Sequence, residues 1–346
     1  MEEAAIQKLG KEEPVPMKVT IKDIAREAGV SHPTVSKALN GAPGVSEDIR
    51  KKIVAIASRM NYVPNLAAKR LVDRKTNSIG LIWPKIEGLF FYHLGMQIQK
   101  EAAARGIDVI MSLAEPPEAL RIFNEHFVDE ILFWCPPDWL PSVEFIKQRE
   151  LFHGNMLLMG GGRMERTHCI GIDRKSAVYE AVRYLAGQGH RKLTFIGNRS
   201  DKLTGFTQGL LELRLDYHDH YFIQIEPGES VTESKMQSLL DGEDRPTAFI
   251  VDSQTYAFEL LELFRKRKLR IPGDYSLVVY DDIPEMERME VPLTTVGPSI
   301  PKLALAALDI LTGRDGRGES KWADVDIGCE LHIRKSVSPL HTKAKK

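Results

Sequence analysis

The sequence predicts two structural classes within one chain of 346 residues, a small all-α head at the N-terminus and a larger α/β body. Short amphipathic patterns with polar caps fill residues 20–60, whereas apolar runs of strand length alternate with helical patterns from Ser78 onward. The charge divides at the same place: residues 18–75 contain twelve Lys and Arg against five Asp and Glu, while the whole chain has a net charge of −1. A basic head on an acidic body indicates that the head binds a polyanion.

The first helix of the head is expected to begin at Thr20, which forms a capping pair with Asp23. Its apolar residues recur at helical spacing, and Gly29 ends it. Ser31 can cap a second helix, where Pro33 is tolerated because first-turn N–H groups have no intrahelical partner. We expect the second helix to turn three residues inward: Val35, Ala38 and Leu39.

A third helix is predicted after the breaks at Asn40–Gly41 and Pro43–Gly44, with its cap at Ser46 and acidic residues in its first turn. Its predicted inward positions are Ile49, Ile53, Ile56, Ala57 and Met60. Two short helices joined by a tight turn and braced by a third form a helix-turn-helix, whose second helix enters the DNA major groove. A solvated polar face on a small helical subdomain is the alternative.

The polar first turn of the second helix supplies the predicted contacts to DNA. His32 offers a hydrogen bond, Pro33 an apolar face for a thymine methyl group, and Lys37 a donor to guanine O6 and N7. Ser31 and Thr34 are better placed for phosphates. The complete set predicted in the head is Thr20, Ser31, His32, Pro33, Thr34, Ser36, Lys37 and Asn40.

The run from Val19 to Leu71, VTIKDIAREAGVSHPTVSKALNGAPGVSEDIRKKIVAIASRMNYVPNLAAKRL, resembles the head of the lactose-repressor family of transcriptional regulators. The resemblance implies a hinge helix from Asn65 to Val72 that folds on operator DNA, where the paired hinges of a dimer enter the minor groove. The residues it implies in DNA contact are Asn65, Ala68, Lys69 and Leu71, with Leu71 as a wedge between base pairs. A plain linker with an exposed Leu is the alternative.

The body is predicted to contain parallel sheets covered on both faces, since runs such as SIGLIWP, KLTFIG and TAFIVD alternate with helical patterns such as AFELLELFRKRKL. Its resemblance to the same family continues to about Val337 and implies two periplasmic-binding-protein-like lobes with a ligand cleft between them. We therefore divide the chain into a disordered extension (residues 1–17), the helix-turn-helix domain (18–63), hinge helix and linker (64–77), a two-lobed effector-binding and dimerisation domain (78–340) and a basic tail (341–346).

Cleft residues are expected at the carboxyl ends of strands. Adjacent residues at a strand end point to opposite sides, so one of Asp281 and Asp282 is expected to face the cleft as a ligand acceptor, and the resemblance favours Asp281. His190 is assigned a structural role between helix and strand, because no nucleophile motif accompanies it. The predicted effector-binding residues are Trp83, Phe91, Asp173, Lys202, Gln254 and Asp281.

Some of these positions depart from the family's pattern. Lys202 stands where sugar-binding relatives have Arg, and Ser253-Gln254 stands where they have Asn-Asp. Lys does not reproduce the Arg fork, and Gln is not an ionised acceptor. Gly88 occupies a loop position where a polar Asn often lies. The aromatic residues Trp83, Phe91 and Trp134 either stack on a sugar ring or fill the cleft.

The sequence leaves few other functional classes open. It contains no secretory signal, no apolar run of about 18 residues and no nucleophile or cofactor motif, so we expect a cytoplasmic protein that is not an enzyme, needs no cofactor and does not bind membranes. Cys135, Cys169 and Cys329 are too far apart for a CxxC zinc pair. The prediction is a homodimeric repressor of a pseudo-palindromic operator, controlled by a small molecule such as a carbohydrate; control by a protein partner or by no ligand is the alternative.

Overall fold

A computed structural model describes residues 19–62, 76–83, 88–126, 128–198, 201–226, 228–314 and 322–340. The chain separates into two compact units, Met1–Lys75 and Thr76–Lys346, called here the head and the body. Predictions that concern residues 1–18, 63–75 and 341–346 lie outside the described residues. They include the extension, the basic tail and the hinge positions Asn65, Ala68, Lys69 and Leu71.

The described part of the head contains the helices α1 (Ile21–Ala28), α2 (His32–Leu39) and α3 (Glu47–Arg59). The amide and hydroxyl of Thr20 donate to the Asp23 carboxylate at 3.0 and 2.6 Å, which lowers the pKa of Asp23. Gly29 ends α1 with a φ of 69°, a left-handed conformation that glycine adopts without steric cost. The Ser31 hydroxyl accepts from the Thr34 amide at 3.4 Å and so caps α2.

Three helices bury one small core, which includes Ile24, Val35, Ala38 and Ile53. The prediction that Ile49 points inward is wrong, because 39% of this residue is exposed. The neighbouring Arg50 takes the inward place in the first turn of α3, where its guanidinium reaches the backbone carbonyls of Ala38 and Ala42.

The described part of the body contains two six-stranded sheets, which define lobe 1 and lobe 2. The strand order is β11-β5-β4-β3-β1-β2 in lobe 1 and β12-β10-β9-β8-β6-β7 in lobe 2. The strands of lobe 1 are β1 (Ser78–Ile82), β2 (Asp108–Ser112), β3 (Glu130–Trp134), β4 (Asn155–Met159), β5 (His168–Ile172) and β11 (Asp324–Ile327). Those of lobe 2 are β6 (Leu193–Gly197), β7 (Phe222–Gln224), β8 (Ala248–Val251), β9 (Ser276–Tyr280), β10 (Thr294–Pro298) and β12 (Cys329–His332).

All pairings are parallel except that of β10 with β12. Central strands such as β1, β6 and β9 are buried along their whole length, as expected for sheets covered on both faces. The predicted α/β body with two parallel-dominated sheets is therefore confirmed.

Helices cover these sheets. They are α4 (Leu89–Ala104), α5 (Pro116–Glu125), α6 (Val143–Leu151), α7 (Arg174–Gly187), α8 (Asp201–Glu212), α9 (Glu233–Asp241), α10 (Gln254–Lys266), α11 (Pro284–Arg288) and α12 (Ile300–Leu311). The chain builds β1 to β5 in lobe 1 and β6 to β10 in lobe 2. It then returns to lobe 1, where α12 packs against α4 and β11 pairs with β5, before β12 joins lobe 2. In the part of the body that the structure describes, the chain therefore crosses between the lobes three times.

Candidate DNA interface and ligand cleft

The α2 helix presents a polar surface on the head. His32, Pro33 and Lys37 are exposed, whereas Val35 and Ala38 on the opposite side are buried. Lys37 makes no hydrogen bond or ion pair to another described residue, so its ammonium group is available to a ligand. The hydroxyl groups of Ser31 and Thr34 lie 2.8 Å apart at the start of the helix.

Two cations of α3 hold the other head helices in place. Arg50 donates from Nη1 to the Ala38 carbonyl at 3.1 Å and from Nη2 to the Ala42 carbonyl at 2.8 Å. Lys52 Nζ donates to the Ala28 carbonyl at 3.1 Å. Carbonyls at helix C-terminal ends lack internal partners and carry partial negative charge, so cations stabilise them. From the sequence, Arg50 and Lys52 count only toward the basic charge of the head, and their role in joining its helices is not predicted.

Polar side chains gather on lobe 2 where β8 and β9 end. Lys202, near the start of α8, donates from Nζ to the Asp252 carbonyl at 2.6 Å, and the same atom lies 3.8 Å from the ring centre of Tyr280. Gln254 and Asp281 adjoin this group: with the amide oriented as its partners require, Gln254 donates to Asp281 Oδ2 at 3.2 Å. The structure thus brings together three predicted effector residues, Lys202, Gln254 and Asp281.

Two carboxylates of this cluster have altered acidities. Burial raises the pKa of Asp281 to about 6, although the nearby Lys202 and Arg174 oppose the change. Burial also raises the pKa of Asp252, which is 3% exposed and accepts from the Asn198 amide at 3.0 Å. Asp281 has a φ of 78°, a left-handed conformation that few residues other than glycine adopt. Such features are typical of ligand sites at strand ends.

Asp252 was not predicted as a site residue. A signal existed in the sequence, because Asp252 ends the apolar run TAFIVD just as Asp281 ends the run YSLVVYD. Asp282, by contrast, points away from Gln254: its Oδ1 accepts from Thr295 Oγ1 at 2.6 Å and from Arg334 at 2.7 Å.

Aromatic residues fill the region of lobe 1 where β1 and β3 end. Trp83, Phe91 and Trp134 contact one another with ring centroids 5.0 to 6.1 Å apart. Trp83 and Trp134 are only 4% and 8% exposed, whereas Phe91 is half-buried. Of the predicted aromatic residues, Phe91 is therefore the better placed to contact a ligand.

Asp173 and His190 have structural contacts. Asp173 caps α7 by accepting from the Ser176 amide at 3.0 Å. His190 lies 2.9 Å from Thr247 Oγ1 through Nδ1 and donates from Nε2 to the Ser338 carbonyl at 3.1 Å. Burial lowers the pKa of His190, which favours the neutral ring.

The described residues contain no helix long and apolar enough to span a membrane. Within the same residues, no group of three His, Cys, Asp or Glu side chains could hold a metal ion.

Comparison with known proteins gives two family matches. Residues 20–65 match the model for bacterial regulatory proteins of the lacI family, and residues 182–337 match the model for a periplasmic binding protein-like domain. The catabolite control protein A of Priestia megaterium is 27% identical over 336 residues, covering 93% of this chain and 100% of that protein. The transcriptional regulator DegA of Bacillus subtilis (strain 168) is 28% identical over 341 residues, covering 94% of this chain and 100% of that protein.

Solved structures show the same fold. The lac repressor dimer bound to operator and an anti-inducer superposes with a TM-score of 0.74 at 22% identity, covering 92% of this chain and 99% of that one. A ribose-bound regulator from Enterococcus faecium superposes with a TM-score of 0.66 at 20% identity, covering 76% and 100%.

A helix-turn-helix head joined to a periplasmic-binding-protein-like body defines a DNA-binding transcriptional regulator. The chain combines a helix-turn-helix domain of the lacI family of bacterial regulatory proteins with a periplasmic-binding-protein-like domain. Its named relatives include transcriptional regulators and repressors.

Proposed function

We propose that the protein is a dimeric repressor that binds a pseudo-palindromic operator and is controlled through the cleft between its lobes. The observation that carries this proposal is the surface of α2, which exposes His32, Pro33 and Lys37 while its opposite side is fixed in the head core. In this proposal residues 18–63 read DNA, residues 64–77 form the hinge and linker, and residues 78–340 bind the effector and dimerise.

In the DNA complex, the first turn of α2 enters the major groove. Lys37 donates to guanine O6 or N7, His32 to a base edge, and Pro33 packs on a thymine methyl group. Phosphate contacts come from the capping hydroxyl groups of Ser31 and Thr34 and position the helix without reading sequence. Ser36, Thr20 and Asn40 complete the contact set in the head. Asn65, Ala68, Lys69 and Leu71 supply the minor-groove contacts.

An exposed apolar patch on lobe 1 supports the homodimer. Tyr92 and Met96 lie one turn apart on α4 and are 60% and 54% exposed, and Met111 and Leu113, at the edge strand β2, are 49% and 67% exposed. The Met111 methyl group lies 3.6 Å from the point where a Cβ atom at position 95 would be. The helix α4 and the strand β2 therefore form one surface. Contiguous exposed apolar surface of this kind marks an interface with another protein.

The dimer is tested by sedimentation. Met96→Glu places a charge in the patch, and we expect it to shift the protein toward monomer in equilibrium ultracentrifugation. Leu151→Glu, at a position on α6 that is 64% exposed and outside the patch, is the matched control and should leave the dimer intact. A Met96→Glu protein that dimerises like the wild type would place the interface elsewhere.

The proposed effector is a small polar molecule, with a carbohydrate as the leading class. Lys202 and Asp281 supply donors and acceptors for hydroxyl groups, and Phe91 supplies an apolar face. The Enterococcus regulator holds ribose, and a regulator named CelR holds cellobiose in its structure. A ligand that prefers one arrangement of the lobes changes the population of that arrangement and hence the spacing of the heads.

A second candidate keeps the DNA function without a small molecule and assigns control to a protein partner or to no ligand. It is favoured by the bonds that Lys202 and Gln254 already make within the protein. Titration calorimetry against a carbohydrate panel separates the two candidates, since heat of binding from any member supports the first and silence from all supports the second.

The DNA function is tested by selecting binding sites from random duplex DNA with the full-length protein at physiological salt. Recovery of a short inverted repeat supports a dimer that reads two half-sites, because operator symmetry mirrors protein symmetry. Recovery of a single unrepeated motif would contradict the dimeric reading. Recovery of DNA without a motif would contradict sequence-specific binding.

A further inference from the structure

The Gln254 side chain connects the two lobes of the body. It is the first residue of α10 in lobe 2 and is 3% exposed. Its amide nitrogen donates to Asp281 Oδ2 at 3.2 Å within lobe 2, and its amide oxygen accepts from the Leu89 backbone amide of lobe 1 at 3.1 Å. One amide group therefore satisfies a carboxylate on one side of the cleft and a helix N-terminus on the other.

Among the described residues, the N-cap of α4 offers no side-chain acceptor for this purpose. Leu89 is the first residue of α4, and the first backbone N–H groups of a helix have no intrahelical acceptor. Side-chain oxygens of Ser, Thr, Asp or Asn at the N-cap usually accept from the second or third of these groups, and the first, here that of Leu89, needs an acceptor from elsewhere. Here the preceding residue is Gly88, which has no side chain. Gln254 provides from lobe 2 an acceptor that α4 lacks at its own N-cap.

Gly88 is also required for the approach of Gln254. A Cβ atom at position 88 would overlap the Gln254 amide group. Gly88 moreover has a φ of 113°, where a side chain would strain the backbone. Gly88 of lobe 1 and Gln254 of lobe 2 are thus in direct contact.

A second contact joins the same helix to lobe 2. His93 lies one turn after Leu89 on α4, and its Nε2 is 2.9 and 3.1 Å from the two carboxylate oxygens of Glu285 on α11. The N-terminal half of α4 is therefore attached to lobe 2 at two successive turns.

We propose that Gln254 is a built-in latch that holds the lobes together without a bound ligand. The proposal rests on the proposed function in one respect, namely that the arrangement of the lobes controls the heads. An effector that displaces the latch must accept from the Leu89 amide and donate to Asp281. A hydroxyl group can do both, so polyhydroxylated molecules are suited to open the latch.

The latch is tested by measuring the distance between the lobes in the ligand-free, full-length protein. Spin labels are attached at Lys147→Cys on lobe 1 and Lys266→Cys on lobe 2, since these side chains are 65% and 67% exposed. A Cys329→Ser background removes the half-buried native thiol. The distance is measured by pulsed electron–electron double resonance. Dilution with unlabelled protein leaves mostly one labelled chain per dimer, so that the signal reports distances within one chain.

We expect one narrow distance distribution in the wild-type sequence. Gln254→Ala removes the bridge from lobe 2, and Gly88→Ala blocks the same contact from lobe 1, so both should broaden the distribution and lengthen its mean. Gln208→Ala is the matched control, because Gln208 bonds to Glu212 within the single helix α8 at 2.7 Å. It should reproduce the wild-type distribution.

A broad distribution in the wild type, or an unchanged distribution in either Gln254→Ala or Gly88→Ala, would overturn the latch. Two test variants altered from opposite lobes keep the outcome interpretable if one of them folds poorly. Selection of DNA sites by the wild type is scored separately. A failed selection with an intact distance response would count against the operator function alone, whereas a successful selection with no distance response would count against the latch alone.

Discussion

The attachment of α2 to α3 through Arg50 gives a quantitative prediction. Arg50→Met retains most of the apolar stem and removes both donors, which lie 3.1 and 2.8 Å from the carbonyls of Ala38 and Ala42. Hydrogen bonds to charged groups contribute about 1.5–3 kcal/mol each. The Arg50 side chain is 22% exposed, so water compensates part of the loss and about 2–3 kcal/mol for the pair is a reasonable value.

That loss is large for a head of this size. At roughly 0.05–0.15 kcal/mol per residue, a folded unit of some 45 residues has a free energy of unfolding of only about 2–7 kcal/mol. Since each 1.4 kcal/mol changes an equilibrium tenfold, opening of α2 should become about 30- to 150-fold more frequent.

Amide hydrogen exchange followed by mass spectrometry on the full chain measures this opening. Peptides that cover α2 should exchange faster in Arg50→Met by that factor, while peptides from lobes 1 and 2 keep their wild-type rates. Lys51→Met removes the same charge at an exposed neighbouring position and should change the exchange of α2 little. If Arg50→Met accelerates exchange in α2 no more than Lys51→Met does, the conclusion that Arg50 attaches α2 to α3 is refuted.

The buried ring of His190 and the proposed wedge at Leu71 give two further predictions. Because burial lowers the pKa of His190, the unfolded chain binds a proton more readily there, and the free energy of unfolding falls as the pH drops below the unfolded value of about 6.5. Urea unfolding at pH 7.5 and 5.5 should show a smaller pH-dependent loss in His190→Gln than in the wild type; equal losses would contradict this reading. Leu71→Ala should weaken operator binding about ten- to hundredfold while changing binding to random DNA little, because only the operator complex buries the side chain. Equal losses on both DNAs, measured by fluorescence anisotropy, would exclude the wedge.

The elements of the fold were predictable because their signals are local. The Thr20–Asp23 capping pair, the Ser31 cap and the stop at Gly29 lie within a few residues of the helix ends they define. Strands such as β8 and β9 are buried on both faces and are therefore apolar throughout, a pattern visible in any short window.

The contacts at the sites were less predictable because they join distant parts of the chain. Gln254 and Leu89 meet only after both lobes have formed, and neither residue type signals the other. The prediction that Ile49 points inward was wrong for the same reason. Helical spacing within α3 cannot show that Arg50 takes the inward position, because its partner Ala38 lies on another helix. Lys202 lies near Asp281, and its bond to the Asp252 carbonyl depends on how β8 and α8 approach each other.

Whether α2 reads DNA sequence can be decided by repeating the selection from random duplex DNA with Lys37→Ala and, as a control of equal charge, Lys51→Ala. We expect Lys37→Ala to recover the same inverted repeat with the base preference relaxed at one position in each half-site, and Lys51→Ala to recover the wild-type motif unchanged. An unaltered motif from Lys37→Ala would contradict the assignment of Lys37 as a base reader.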